Sequence, residues 1–241
     1  MSHAAALNTP PFRPFEAVRA ARRLLQDPED TRQVFKVMAA VRGRSHLRLF
    51  ERFTRSPTGK AVLADRRQLL DRLQDQAALA PLPEGSLGRA YLDFMLEENL
   101  SAAGLVEASE IDETQGLGPD GRLFRERMRD MHDLNHVLTG YGRDGLGELC
   151  LLAFMYRQTG NRGGALIALM GLGKFPKGPI GKAARKALFE AFRHGGKSAW
   201  LPGMDWEAVL GEDLQALRRR LAIPTPAAYR AAQVLIESPT A

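Results

Sequence analysis

Apolar residues recur along this chain at intervals of three and four. Glycine, proline and capping side chains break the intervals, so almost every segment reads as an amphipathic helix. The clearest run is Leu123 to Leu138, where Phe124, Met128, Met131, Leu134 and Leu138 repeat at helical spacing. It should stop at Gly140-Tyr141-Gly142, because glycine accepts the left-handed backbone of a C-terminal cap. Asp144 then offers an N-cap for a helix bearing Leu146, Leu149, Leu151, Leu152 and Phe154, and the two segments together predict a helical hairpin. Upstream, Asp27-Pro28 supplies a cap and a first-turn proline for a helix with Val34, Phe35, Val37, Met38 and Val41 that ends near Gly43. Ser45 and Ser56-Pro57 start two more, and Ser86 caps a helix carrying Leu87, Tyr91, Phe94 and Met95. Strand-like alternation is scarce. The expectation is an all-α, single-domain multi-helix bundle over residues 1–241.

Composition narrows the setting. A chain of 241 residues can bury a full core without disulfides or metal staples. Cys150 is the only cysteine, so no internal disulfide can form, which suits a reducing compartment. No apolar run reaches the roughly 18 residues that span a bilayer, and the N-terminus has no hydrophobic secretory core. Residues 1–26 are basic apart from Glu16, a composition shared by mitochondrial transit peptides and ordinary amphipathic helices. Arginine outnumbers lysine 27 to 7, a habit of GC-rich bacterial proteins that favours the bacterial cytoplasm. The calculated pI of about 9.8 and net charge of +6 raise the question of nucleic acid. The basic residues are not interleaved with aromatics and no nucleic-acid motif occurs, so none is expected as a partner.

Two stretches depart from the helical rhythm. Ser101 to Gly121 holds five acids and no Lys or Arg and closes on Gly116-Leu117-Gly118-Pro119-Asp120-Gly121, which reads as a solvated connecting loop with a turn-rich end or, more sharply, as a lid. From Arg157 to Trp200 there are nine Lys or Arg residues and one acid, Glu190, around the apolar run Ala165 to Met170 with its flanking glycines. That pattern suits an anionic membrane surface and a lipid chain inserted between helices, and equally a core helix beside a solvated basic neighbour.

The chemistry is concentrated in His132-Asp133-Leu134-Asn135-His136 and Glu148. Imidazoles four residues apart lie on one helical face and can reach a single ion. His136 lies four residues before the expected turn and Glu148 four after Asp144. At about 1.5 Å rise per residue both stand roughly 6 Å from the turn, opposite each other. Packed, hydrogen-bonded histidines are the plainer reading of the same residues. As a metal site, the set suits zinc, or the two-histidine, one-carboxylate arrangement that leaves iron with open positions. Asp133 stands one methylene short of the glutamate base of His-Glu-x-x-His hydrolases, and no Ser or Cys nucleophile sits beside a base.

The run His132, Asp133, His136 and, after eleven intervening residues, Glu148 resembles the signature of the coenzyme Q biosynthesis protein 4 family, which acts in ubiquinone synthesis. Two further blocks resemble that family. One is Leu82-Pro83-Glu84-Gly85-Ser86-Leu87-Gly88-Arg89 leading into Tyr91, Leu92 and Phe94; the other is Trp206-Glu207 with Leu214, Leu217, Leu221 and Ile223-Pro224. The likeness covers roughly residues 45–225. It implies a helical protein that holds a polyprenyl chain in an apolar channel and binds a divalent metal, zinc first, with iron or manganese as alternatives. It also implies removal of the C1 carboxyl from a polyprenyl-hydroxybenzoate, coupled to hydroxylation there. On this reading His132, His136 and Glu148 are ligands and catalytic, with Asp133 as fourth ligand or orienter. Arg89 and Tyr91, from the matching block, are candidates for binding substrate. Expected partners are the prenylated lipid, an anionic membrane surface, other ubiquinone biosynthesis proteins and a second copy of the chain. The expected location is the cytoplasmic side of a bacterial inner membrane, or the matrix side of the mitochondrial one. The competing class is a scaffold that presents prenylated intermediates to other enzymes.

Overall fold

Capping side chains start the helices where the sequence places them. A computed structural model describes residues 13–26, 32–41, 45–97 and 118–238. Among these residues lie fourteen α-helices and no strand: α1 (Pro14–Gln26), α2 (Arg32–Val41), α3 (Ser45–Arg55), α4 (Pro57–Asp65), α5 (Leu69–Gln74), α6 (Gln76–Leu79), α7 (Leu87–Glu97), α8 (Gly118–Thr139), α9 (Gly145–Thr159), α10 (Arg162–Leu172), α11 (Pro179–Lys197), α12 (Trp206–Val209), α13 (Leu214–Arg220) and α14 (Ala227–Glu237). Ser56 accepts from Gly59 N ahead of Pro57, Ser86 Oγ accepts from Arg89 N, and Asp144 accepts from Leu146 N and Gly147 N. The Asp27-Pro28 cap and the acidic stretch up to Leu117 lie outside the described residues.

The principal core runs from Ala17 to Ala232. Helix α9 packs most closely on α11 and α10, α10 also on α2, α2 on α1, and α11 on α14. The face of α11 turned inward is made of small residues, Ala184, Ala187 and Ala191, which lets its backbone approach its neighbours. A second cluster of Phe53, Val62, Leu123 and Phe124 seats the start of α8 on α3 and α4. That start is earlier than the periodicity suggested. Gly118 to Gly121, read as a turn, is already helix, and Pro119 and Asp120 explain why: a first-turn proline lacks only a redundant N–H, and an acid there meets the positive end of the dipole.

Two ties fix α8 in place. Arg127, fully buried, forms two 2.6 Å bonds to Glu207 and donates to the Met204 carbonyl at 3.1 Å, joining α8 to α12. Arg218 of α13 donates to the carbonyls of Leu138 and Val137, which the helix end leaves without intrahelical partners. Gly140 then takes the left-handed conformation at φ 75°. Elsewhere the blocks around Ser86 and Trp206 meet, with Leu87 N and Gly88 N donating to Glu212 and Leu210 carbonyls and Leu214 N to that of Gly85.

Candidate metal centre

The last turn of α8 and the first turn of α9 meet at a corner. Helix α9 makes few close approaches to α8 and many to α11, so the pair is joined at that corner and is not packed along its length. Gly147 makes the corner tight, since a Cβ built there would lie 2.0 Å from the Gly142 carbonyl oxygen. The next residue is Glu148, so the close approach sets where its carboxylate emerges.

At the corner His136 Nε2 lies 3.2 Å from His132 Nε2 and 3.4 Å from Glu148 Oε1, and His132 Nε2 lies 3.8 Å from Glu148 Oε2. His136 Nδ1–H donates to the Tyr141 carbonyl at 2.9 Å, so in the neutral ring Nε2 presents its lone pair toward the other two donors. The Asp133 carboxylate falls within 4.8 Å of both imidazoles. Ligands at about 2.0 to 2.1 Å around a tetrahedral ion stand roughly 3.3 Å apart. The two imidazole nitrogens stand at that length, and one ligand atom each from His132, Asp133 and His136 falls within 4.8 Å of the others, so these three fit such an ion; the Glu148 carboxylate faces both rings, one oxygen toward each, and could join the set.

Burial divides the donors. The His136 side chain has 0% of its surface exposed, whereas His132 keeps 34% and Glu148 33%. Burial pulls the His136 pKa down, but the hydrogen bond and charge of Glu148 and the bond to the Tyr141 carbonyl outweigh it, leaving the value raised. Burial pushes Glu148 up, yet its bond to His136 and the charges of His132, His136 and Arg143 hold it below the usual carboxylate range. His132 is lowered, by burial of its inner edge and then by the charge of His136.

The wall of the site comes from α7. Phe94 stacks on His136 with ring centroids 6.0 Å apart, and Tyr91 is buried beside it, its phenol raised by burial and by the charges of Asp133 and Asp130. Arg89 goes elsewhere. It is turned roughly 200° around the helix from Tyr91, and its guanidinium donates to Asp93 at 3.1 Å and to the Ala80 carbonyl at 3.0 Å. The cation that does stand here is Arg143, with Nε 3.9 Å from Glu148 Oε1. Residue type alone could not separate the two arginines; the clue in the sequence was position, since Arg143 lies in the turn between the paired histidines and the glutamate.

The comparisons agree with these blocks. The family model for the coenzyme Q (ubiquinone) biosynthesis protein Coq4 matches residues 10–227, and the chain belongs to that family. The match reaches into residues 10–44, upstream of the blocks that carried the resemblance. The mitochondrial ubiquinone biosynthesis protein coq4 of Aspergillus terreus is 32% identical over 184 residues, covering 74% of this chain and 60% of that protein. Its counterpart in Yarrowia lipolytica is 30% identical over 191 residues, covering 74% of this chain and 66% of that protein. The chain therefore spans about three fifths to two thirds of the length of these relatives. A crystal structure of a protein from Nostoc punctiforme PCC 73102, provisionally named for ubiquinone biosynthesis, has the same fold. Its TM-score is 0.63 at 20% identity, over 89% of this chain and all of that one.

Proposed function

We propose that this chain acts in ubiquinone biosynthesis by removing the C1 carboxyl of a polyprenyl-hydroxybenzoate as carbon dioxide, coupled to hydroxylation at that carbon in which dioxygen is the oxidant and an external two-electron donor reduces its second oxygen atom to water. His132, His136 and Glu148 would hold a divalent ion, with Asp133 as a further ligand or orienter. The observation that carries the reading is the pair of imidazole nitrogens 3.2 Å apart with two carboxylates, Asp133 and Glu148, beside them and His136 fixed through its other nitrogen. A bound ion would supply Lewis acidity toward the carboxylate and phenolate oxygens of the substrate. Zinc suits the donor set and distances, and the two-histidine, one-carboxylate composition also suits iron or manganese. The half-open flank of His132 and Glu148 would admit the ring, Arg143 would offer a cation to its carboxylate, and the partly buried Phe94 of α7 would meet the prenyl chain, with Tyr91 packed in the core behind it.

Peripheral attachment to an anionic membrane belongs to the same proposal. On α11, Lys182, Lys186, Phe189 and Arg193 recur at helical spacing on one exposed stripe, and Lys174, Lys177 and Leu169 are exposed just before it. No helix among the described residues is long and apolar enough to cross a membrane. The side would be the cytoplasmic face of a bacterial inner membrane, or the matrix face in mitochondria, the compartment for which the fungal relatives are named.

The test combines elemental analysis of protein purified with and without air and incubation with a carboxylated prenyl-phenol. One ion per chain and loss of the carboxyl are expected. His132→Ala and Glu148→Ala should abolish that loss while staying folded, and cells carrying them should accumulate a prenylated, carboxylated precursor. A folded, metal-free variant that still sustains normal ubiquinone levels defeats the enzymatic reading. The second reading is a scaffold for ubiquinone enzymes, and the exposed Leu169, Phe189 and Val234 favour it, as apolar side chains that a docked partner would cover. Unfolding of both variants would make the ion structural and put that reading first.

A further inference from the structure

The corner between α8 and α9 is held from outside by the C-terminal helix. The Tyr229 hydroxyl on α14 accepts the Gly142 N–H at 2.9 Å and donates to Asp144 Oδ2. Gln233, one turn further along, donates to the same Oδ2 at 3.2 Å. The other oxygen of Asp144 caps α9, accepting from Leu146 N at 3.0 Å and Gly147 N at 3.1 Å. Gly142 directly follows Tyr141, whose carbonyl takes the proton of His136 Nδ1. A single hydroxyl thus bridges the segment that orients His136 and the cap that begins the helix of Glu148. The buried Tyr229 ring meets the Tyr141 ring edge-on with centroids 5.5 Å apart, so the hydroxyl has little freedom to leave.

We infer that Tyr229 is a positioning residue for the candidate metal centre, setting the separation between His136 and Glu148 through the Gly142 to Asp144 turn. The inference rests on the metal reading above. Without the hydroxyl, the Gly142 N–H loses its acceptor and Asp144 one of its two outside donors, while the ring still fills its place in the core. The turn is then free to shift relative to the cap, and both donors sit on its ends. Groups that orient metal ligands typically change affinity by about 10–100-fold when removed. Nothing local in the sequence announces this role, since Tyr229 lies far along the chain from both donors and is brought to them by the packing of α14 on α11.

The test is a competition titration with zinc(II) against a chromophoric chelator, together with the visible spectrum of the cobalt(II)-loaded protein. Both are run on the full-length wild type, Tyr229→Phe, Gln233→Leu and Ala232→Gly. Ala232 is buried on the same helix and has no side-chain hydrogen bond to the corner, so its replacement weakens α14 alone. Tyr229→Phe should bind zinc about tenfold or more weakly, with a changed cobalt spectrum, and Gln233→Leu a few-fold more weakly. Ala232→Gly should melt lower yet bind as the wild type does. Wild-type affinity and spectrum in Tyr229→Phe would overturn the positioning role and leave the metal reading standing. Equal weakening in Tyr229→Phe and Ala232→Gly would also overturn it, reducing Tyr229 to general support. Should Tyr229→Phe fail to fold, unchanged binding in Gln233→Leu overturns the role by itself. A wild type that binds neither ion removes the metal reading and this inference together.

Discussion

At the scale of single residues, the corner turns on an absent side chain. Alanine in place of a mid-helix glycine ordinarily stabilises by about 0.5–1 kcal/mol. At Gly147 the added Cβ would sit 2.0 Å from a backbone oxygen, which cannot swing aside as a side chain would. The strain of overpacking, about 1–3 kcal/mol, outweighs the propensity gain. Gly147→Ala should therefore lower the melting temperature and, by levering α9 off the turn, weaken metal retention; thermal melts and metal content after dialysis check both. The paired histidines, Asp133 and Glu148 were legible in the sequence because helical periodicity and a countable turn decide which faces they share. The partners of Arg89 are not legible from residue type, which carries no direction: an i,i+4 acid, Asp93, and the Ala80 carbonyl engage its guanidinium. Arg143 is legible only by its place in the turn, and the contact of Tyr229 with that turn is not legible at all, since it arises from the packing of distant helices.

At the scale of elements, caps were read well and packing partners were not. Ser56, Ser86 and Asp144 act where local chemistry put them, whereas the expected hairpin proved to be a corner because the small face of α11 draws α9 away from α8. What secures α8 instead is its ion pair to α12. Burial would raise the Glu207 carboxyl, but the hydrogen bond and charge of Arg127 prevail and hold its pKa below the usual carboxylate value of 4.5. A carboxylate with a depressed folded pKa stabilises the fold above its unfolded pKa and loses that contribution as pH falls through the folded one. Glu207→Ala should therefore cost about 3–5 kcal/mol near neutrality, because it strands a buried guanidinium. The gap to the wild type should narrow progressively below about pH 4.5. Denaturant melts of both proteins across pH measure it, and a gap independent of pH would mean that the pair contributes through packing alone.

At the scale of the whole molecule, the net charge of +6 is unevenly placed, with the lysines gathered before and along α11. Replacing Lys174, Lys177, Lys182 and Lys186 with Glu should weaken binding to anionic vesicles by several kcal/mol, at roughly 1 kcal/mol per basic residue near the surface. Sedimentation with vesicles measures the change, and unaltered binding would remove the membrane proposal without touching the metal one. All four side chains are exposed and distant in sequence from the corner, so the replacements leave the donors alone. The corner itself faces outward unequally: one imidazole is sealed, while the other and the carboxylate each keep about a third of their surface in solvent. An ion seated there would come and go by one doorway, parting from His132 and Glu148 first and from His136 last. His132 and Glu148 would then be the groups that a competing chelator meets first, with His136 behind them. Tight holding at equilibrium and brisk traffic are compatible in such a site.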